Sequence, residues 1–261
     1  MAPKTRAARR GADSVVTVSS NTLFHFTNSY DRLKSILELE FEPRFCLEHS
    51  PTRDDGSPFE YAVPMVCFCD LPLSQTSTHL AFYGNYGLGL SKEWGQAHGV
   101  TPVLYAYAGS AVRANLGKLW RSFKKDEWPL ELSRAVGQIL CYIKPYTGRF
   151  WRNGKYIEDV RFYNEREWRF VPENIGDKGW MIPKSDYLDK AKVGQLNDAV
   201  AAEGRLSFEP RDIRYIIVAS EAEVLTMVDD VLRIKGKKYS YDDLRLLTTR
   251  IISAQQIRED F

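Results

Sequence analysis

Apolar and polar positions recur along this chain in short segments of changing period, which predicts strands and helices mixed together. Leu23-Phe24-His25-Phe26 reads as a short strand. Asn28 or Ser29 then caps a helix carrying Leu33, Ile36 and Leu37 at helical spacing. The stretch from Glu48 to Glu60 holds Pro, Asp, Gly and Ser and reads as a loop. Val63 to Cys69 is an apolar run ended by Asp70, which suits a buried strand. Ser74 begins a helix toward Phe82, Tyr83 to Gly87 turns, Leu88 to Leu90 is a strand, and Ser91 caps a short helix around Trp94. Val103 to Tyr107 is a further strand. The clearest amphipathic helix runs from Asp126 to Ile143, where Leu132, Val136, Ile139, Leu140 and Ile143 recur at three and four. Trp168 to Val171 and Tyr215 to Ala219 read as strands and Ala222 to Ile234 as a helix. A last strand, Arg250 to Ile252, leads to a terminal helix capped by Ser253. Short strands among irregular helices, without the alternation of a doubly wound sheet, predict an α+β fold. Residues 21–261 read as one domain. Residues 1–20, with Lys4, Arg6, Arg9 and Arg10, read as a disordered basic tail.

Composition narrows the class. With 261 residues, 44% hydrophobic and 13% aromatic, the chain can bury a sizeable core and is not an intrinsically disordered protein. A net charge of +2 removes any global electrostatic case for nucleic-acid binding and leaves only local patches. No apolar run approaches the roughly 18 residues of a membrane span, and no signal-peptide core follows the start. Cys46, Cys67, Cys69 and Cys141 then read as reduced thiols of a cytoplasmic protein.

Glu165-Arg166-Glu167 carries the most chemistry. In an extended chain, residues two apart share a face, so one carboxylate can stabilise a developing cation while the other handles a proton. A solvated strand shows the same triplet, so its meaning depends on its company. His25 and Thr27 also share a strand face. Alone, His25 reads as a hydrogen-bonded histidine at a core edge; paired with Thr27 it can hold the hydroxyls of a sugar or nucleotide. Cys67-x-Cys69 with His79 makes half a metal site at most, because zinc sites carry two pairs at wider spacing. No metal is expected. Gly84, Gly87 and Gly89 lack the Gly-Lys-Ser/Thr that closes a phosphate loop. Tyr83 and Tyr86 flank Gly84, either as packed rings at a turn or as a wall for a planar ring. From Arg149 to Arg169 cations interleave with aromatics, as in a single-stranded nucleic-acid groove or a solvated hairpin.

Several of these segments in order resemble one family. Leu23-Phe24-His25-Phe26-Thr27, Val63 to Ser74, Tyr83 to Gly95, Lys144-Pro145-Tyr146, Glu165-Arg166-Glu167-Trp168-Arg169 and the ending Ile257 to Phe261 are similar to the AbiGi family of abortive-infection proteins. More distantly, His25-x-Thr27 before a helix, Val63-Pro64 with Phe68, the Leu71 to Ser74 segment and the late Glu167 resemble DarT-type ADP-ribosyltransferases. That resemblance implies split mixed and antiparallel sheets flanked by helices, with NAD as substrate. It implies Glu167 and Glu165 as catalytic residues, and His25, Thr27 and Tyr83 or Tyr86 at the NAD site. Arg44 or Arg53 would contact its phosphates. It further implies a toxin acting on RNA or single-stranded DNA and held by a cognate antitoxin protein. The competing expectation is a non-catalytic antitoxin or sensor that keeps the fold; a nuclease ranks last, for want of an acid cluster or paired histidines.

Overall fold

The computed structural model describes residues 19–50, 59–123, 128–152, 154–173 and 181–261. Arg53 and most of the expected basic tail lie outside them. The two tail residues inside, Ser19 and Ser20, are tied down: Lys92 donates to Ser19 Oγ and the Ser20 amide donates to Asp70.

The chain begins with β1 (Thr22–Thr27), α1 (Tyr30–Leu39), β2 (Arg44–Ser50) and β3 (Phe59–Cys69). There follow α2 (Ser77–Tyr83), β4 (Tyr86–Ser91), α3 (Lys92–Ala97), β5 (Thr101–Pro102), β6 (Leu104–Ala106), α4 (Ala111–Phe123) and α5 (Leu130–Cys141). Next come β7 (Ile143–Pro145), β8 (Gly148–Arg152), β9 (Lys155–Val160), β10 (Glu167–Phe170), β11 (Ile182–Pro183), α6 (Lys184–Leu188) and α7 (Lys190–Glu203). The chain closes with β12 (Ile213–Val218), α8 (Val224–Lys235), α9 (Tyr241–Thr248), β13 (Ile251–Ser253) and α10 (Ala254–Asp260). The fold is α+β. Its main sheet has nine strands among the described residues, in the path β13-β12-β4-β1-β3-β10-β5, with β2 and β11 also paired to β3. The β12–β13 pair is parallel and the other neighbours antiparallel.

Local chemistry sets several boundaries. Ser29, Ser91 and Ser253 each accept a backbone amide at a helix N-terminus, as the sequence predicts. The helix predicted from Ser74 is instead a 3-10 turn over Leu73–Gln75 followed by α2. Both ends of the loop predicted from Glu48 to Glu60 are strand, since β2 runs to Ser50 and β3 begins at Phe59; the rest of that prediction lies outside the described residues. The amphipathic helix predicted from Asp126 to Ile143 contracts to α5. Val136 and Leu140 are buried there, but Leu132 and Ile139 are 47% and 59% exposed, and Ile143 belongs to β7. A repeat at three and four marks a helix face without saying what covers it.

One face of the sheet packs Leu23, Leu88, Leu90 and Ile216 against Leu33 and Leu37 of α1, Trp94 of α3 and Met227 and Val231 of α8. The other packs Phe24, Cys69 and Ile217 against Leu80 of α2 and Ala254 and Ile257 of α10. β12 is covered on both sides, which is why its Ile216-Ile217-Val218 run reads as continuously apolar. Each such side chain contributes roughly 1.5–3 kcal/mol. The strand Gly87-Leu88-Gly89-Leu90 sends its leucines into the first layer. Its glycines make room on the second. A Cβ at Gly87 would stand 2.9 Å from Phe26 Cδ1, and one at Gly89 2.8 Å from Phe24 Cε1. These glycines neither cradle phosphate nor form a turn; they seat two rings.

β1 and β3 pair at Phe24↔Cys69, the one register position they share, while β2 pairs with β3 from Met65 to Phe59. The sheet therefore splits beyond Phe24. His25 Nδ1 meets the Cys67 carbonyl at 2.9 Å across that split.

Candidate functional site: a buried charge cluster beneath a cleft

Two adjoining cavities open at the split. The inner one, about 290 Å³, is lined by Phe24, Phe26, Phe150, Trp151, Tyr83 and Tyr187, with Glu48, Glu165, Glu167, Lys144 and His79 among its polar groups. The outer groove, about 720 Å³, carries Thr27, Arg32, Glu42, Arg44 and Arg152. His25, Phe26, Cys46, Cys67, Tyr83 and Phe150 line both.

Glu165 and Glu167 do converge, by a different route from the one the sequence predicts. Only Glu167 is in a strand. Glu165 ends a 3-10 turn over Phe162–Glu165, and Arg166 between them is left-handed at φ 45° and ψ 50°. A non-glycine residue in that region stores on the order of 1–3 kcal/mol of strain, and such residues concentrate at functional sites. Lys144, on β7, joins the pair: its Nζ donates to Glu165 Oε2 at 2.6 Å and to Glu167 Oε2 at 2.7 Å. Tyr83 donates to Glu165 Oε1 at 2.6 Å. Arg169, two residues beyond Glu167 on the same strand face, donates from Nε to Glu167 Oε1 at 2.5 Å. Its Nη2 pairs with Glu48 at 3.0 Å and its Nη1 donates to the Cys141 carbonyl at 2.8 Å. The Glu167 amide donates to the Tyr105 hydroxyl at 2.8 Å.

Burial alone would raise the Glu167 pKa, but Arg169 and Lys144 outweigh it and hold the carboxyl well below its usual range. Burial would likewise lower Lys144; Glu167 and Glu165 reverse that and keep it firmly protonated. The Tyr83 hydroxyl is pushed far up by burial and by Glu165, so it remains a donor. Burial also raises the thiols, Cys46 and Cys141 to about 12, leaving no cysteine primed as a nucleophile.

The remaining predicted residues divide. Phe24, Cys69 and Glu167 are register partners in one row, so their side chains share a face, whereas His25 and Thr27 turn to the other. His25 is packed edge-on against Phe41 and Phe68 and bonded to Cys67, as a core-edge histidine is, and it also lines both cavities. Thr27 and Arg44 line the outer groove, Arg44 paired with Glu42 at 2.7 Å. Tyr83 is the tyrosine at the carboxylates. Tyr86 is not: its hydroxyl donates to Glu223, and its ring stands against Tyr30. The basic and aromatic run does not form one cationic face. Arg169 is buried in the cluster, while Arg149 and Arg152 lie over Tyr156 and Phe82 of the protein itself, each at 4.5 Å. The run's first part, to Val160, belongs to the β8–β9 hairpin, and the remainder to the 3-10 turn and β10. Sequence reasoning missed Lys144, Glu48 and Tyr105. A lysine inside Tyr142-Ile143-Lys144-Pro145 was the available signal for Lys144, since a lysine among apolar neighbours is buried only when paired. Among the described residues no group of three or more His, Cys, Asp or Glu is placed to hold a metal, and no helix is long and apolar enough to cross a membrane.

Fold and site together define an α+β protein with a ligand-sized cleft over a buried ionic cluster. The profile of the family described as "Putative abortive phage resistance protein AbiGi, antitoxin" matches residues 39–219. The chain belongs to the AbiGi family. It is 28% identical over 253 residues to a protein of Lactococcus lactis subsp. cremoris named "Abortive phage resistance protein AbiGi", covering 85% of this chain and all of that one. No solved structure matches.

Proposed function

We propose that this abortive-infection protein binds NAD in the cleft and transfers its ADP-ribose to RNA or single-stranded DNA, acting as a toxin that a cognate protein restrains. The observation that carries this reading is the carboxylate pair Glu165 and Glu167 beside an aromatic cavity that opens onto an arginine-bearing groove. The residues present fit the substrate in outline: the inner space takes one ring, and Arg32, Arg44 and Arg152 border the space left for a diphosphate.

In the reaction the glycosidic C–N bond breaks with its electron pair leaving on nicotinamide. The anomeric carbon becomes electron-poor before the acceptor bonds to it. Glu167 faces that developing charge, and a carboxylate fixed there stabilises the transition state more than the ground state. Glu165 takes the acceptor's proton. Both carboxylates are bonded to Lys144, so turnover requires Lys144 to yield a place on the pair. Arg169 stays on Glu167 and holds its orientation.

One observation favours a second reading. Every oxygen of Glu165 and Glu167 already has a partner, which suits a binding module without turnover and accords with the word "antitoxin" in the family description. Incubation with labelled NAD and RNA, single-stranded DNA or cell-extract protein separates the two, with Glu167→Gln alongside. The transferase reading expects label on a nucleic acid from the parent and at least a 100-fold loss in the variant, the scale of one lost electrostatic contact. Absence of transfer and of nicotinamide release overturns it in favour of the binding module.

A further inference from the structure

The mechanism above leaves His79 unused. Its residue is 8% exposed, on α2, in the wall of the inner cavity. Its ring centre lies 5.7 Å from that of Tyr83 and 6.4 Å from that of Phe26. Its Nε2 is buried and has no hydrogen-bond partner. A buried polar atom left unsatisfied is rare in a native protein, and each instance calls for a reason. Burial, reinforced by Lys144, lowers the His79 pKa to about 4, so the imidazole is neutral near pH 7.

Two further features say what would meet it. The ionic cluster holds three formal negative charges, on Glu48, Glu165 and Glu167, against two positive ones on Lys144 and Arg169. One negative charge is therefore uncompensated beside the cavity. The Phe24 and Phe26 rings, stacked 5.9 Å apart at 11°, both line the same wall. Aromatic rings and a negative field both favour a planar cation.

We infer that His79 is the specificity-determining contact of the inner cavity, hydrogen-bonding the polar edge of a planar cationic ring held against the aromatic wall. The inference rests on the NAD reading, in which the nicotinamide ring with its carboxamide is that group. The His79 contact selects the ring by its substituent, while the cluster selects it by charge.

Titration calorimetry with three small probes tests this on the full chain. 1-Methylnicotinamide has both charge and carboxamide, 1-methylpyridinium has the charge alone, and nicotinamide has the carboxamide alone. The parent binds 1-methylnicotinamide about tenfold more tightly than either other probe, the scale of one hydrogen bond or one charge contact. His79→Phe brings 1-methylnicotinamide down to the level of 1-methylpyridinium and leaves 1-methylpyridinium unchanged; His79→Gln retains part of the preference. The comparison between probes is made within each variant, and the unchanged 1-methylpyridinium affinity certifies that the cavity is intact. Equal binding of the two cations by the parent, a preference that survives in His79→Phe, or no binding of any probe overturns the inference. Labelled-NAD transfer is measured in parallel. Selective binding with no transfer leaves the inference standing and defeats the transferase reading. Transfer with an unchanged KM in His79→Phe does the reverse.

Discussion

Lys144→Met removes the one ammonium shared by the two carboxylates, and its consequences can be worked from the cluster. Lys144 makes bonds of 2.6 and 2.7 Å from a buried position. Without it Glu165 keeps only the Tyr83 hydroxyl, and Glu167 keeps Arg169. The formal charge of the buried group goes from one uncompensated negative charge to two. Removing one partner of a buried ion pair costs roughly 3–5 kcal/mol; because Arg169 stays, the lower end, about 3 kcal/mol, is expected. In urea this lowers the midpoint by about 1 M with little change in slope. The pH dependence gives a sharper check. In the parent, Glu167 has a depressed folded-state pKa, so its stabilisation is complete at neutral pH and is lost as pH falls through the carboxylate range toward the folded value. In Lys144→Met the two buried carboxylates face each other without the shared ammonium, so the pair holds a proton more readily folded than unfolded, and acidification from pH 7 to 5 favours the folded state. The variant's deficit therefore narrows across that interval. Lys144→Met/Glu165→Gln recovers part of the loss at pH 7, because it removes the repelling charge. A variant within about 0.5 kcal/mol of the parent at pH 7, the usual range of a surface change, refutes the reasoning, as does a deficit that widens on acidification.

Three other outcomes are expected. His79 titrates at about 4 folded against 6.5 unfolded, so between those values the unfolded chain binds a proton that the folded chain does not. Stability then falls with falling pH by at most about 1.4 kcal/mol per unit, and urea midpoints of His79→Phe lack that component. Tyr83→Phe leaves Glu165 Oε1 without its 2.6 Å donor and costs about 1.5–3 kcal/mol by the same assay; a midpoint equal to the parent's contradicts the assigned bond. Gly84→Ala combines φ of +125° with a Cβ only 2.3 Å from the Thr27 carbonyl, and is expected to lower Tm by several degrees, more than an alanine placed at exposed Gly204, where nothing lies within 4 Å.

Short-range order was determined by the sequence. The serine caps at Ser29, Ser91 and Ser253, the doubly covered Ile216-Ile217 strand and the α+β class all follow from chemistry acting over a few residues. So does the nearness of Glu165 and Glu167, which is a property of the chain itself. The tertiary structure alone decided what those carboxylates meet. Lys144 lies 21 and 23 residues away from them, Tyr83 lies 82 from Glu165, and Glu48 reaches Arg169 from a different strand. No periodicity encodes such distances, because they arise only when β7, α2 and β2 are brought together around the split between β1 and β3. Side chains on a strand alternate, so one residue's offset from Phe24 turned the His25 imidazole toward Phe41 and Phe68, while Glu167, in the Phe24 row, faces Lys144.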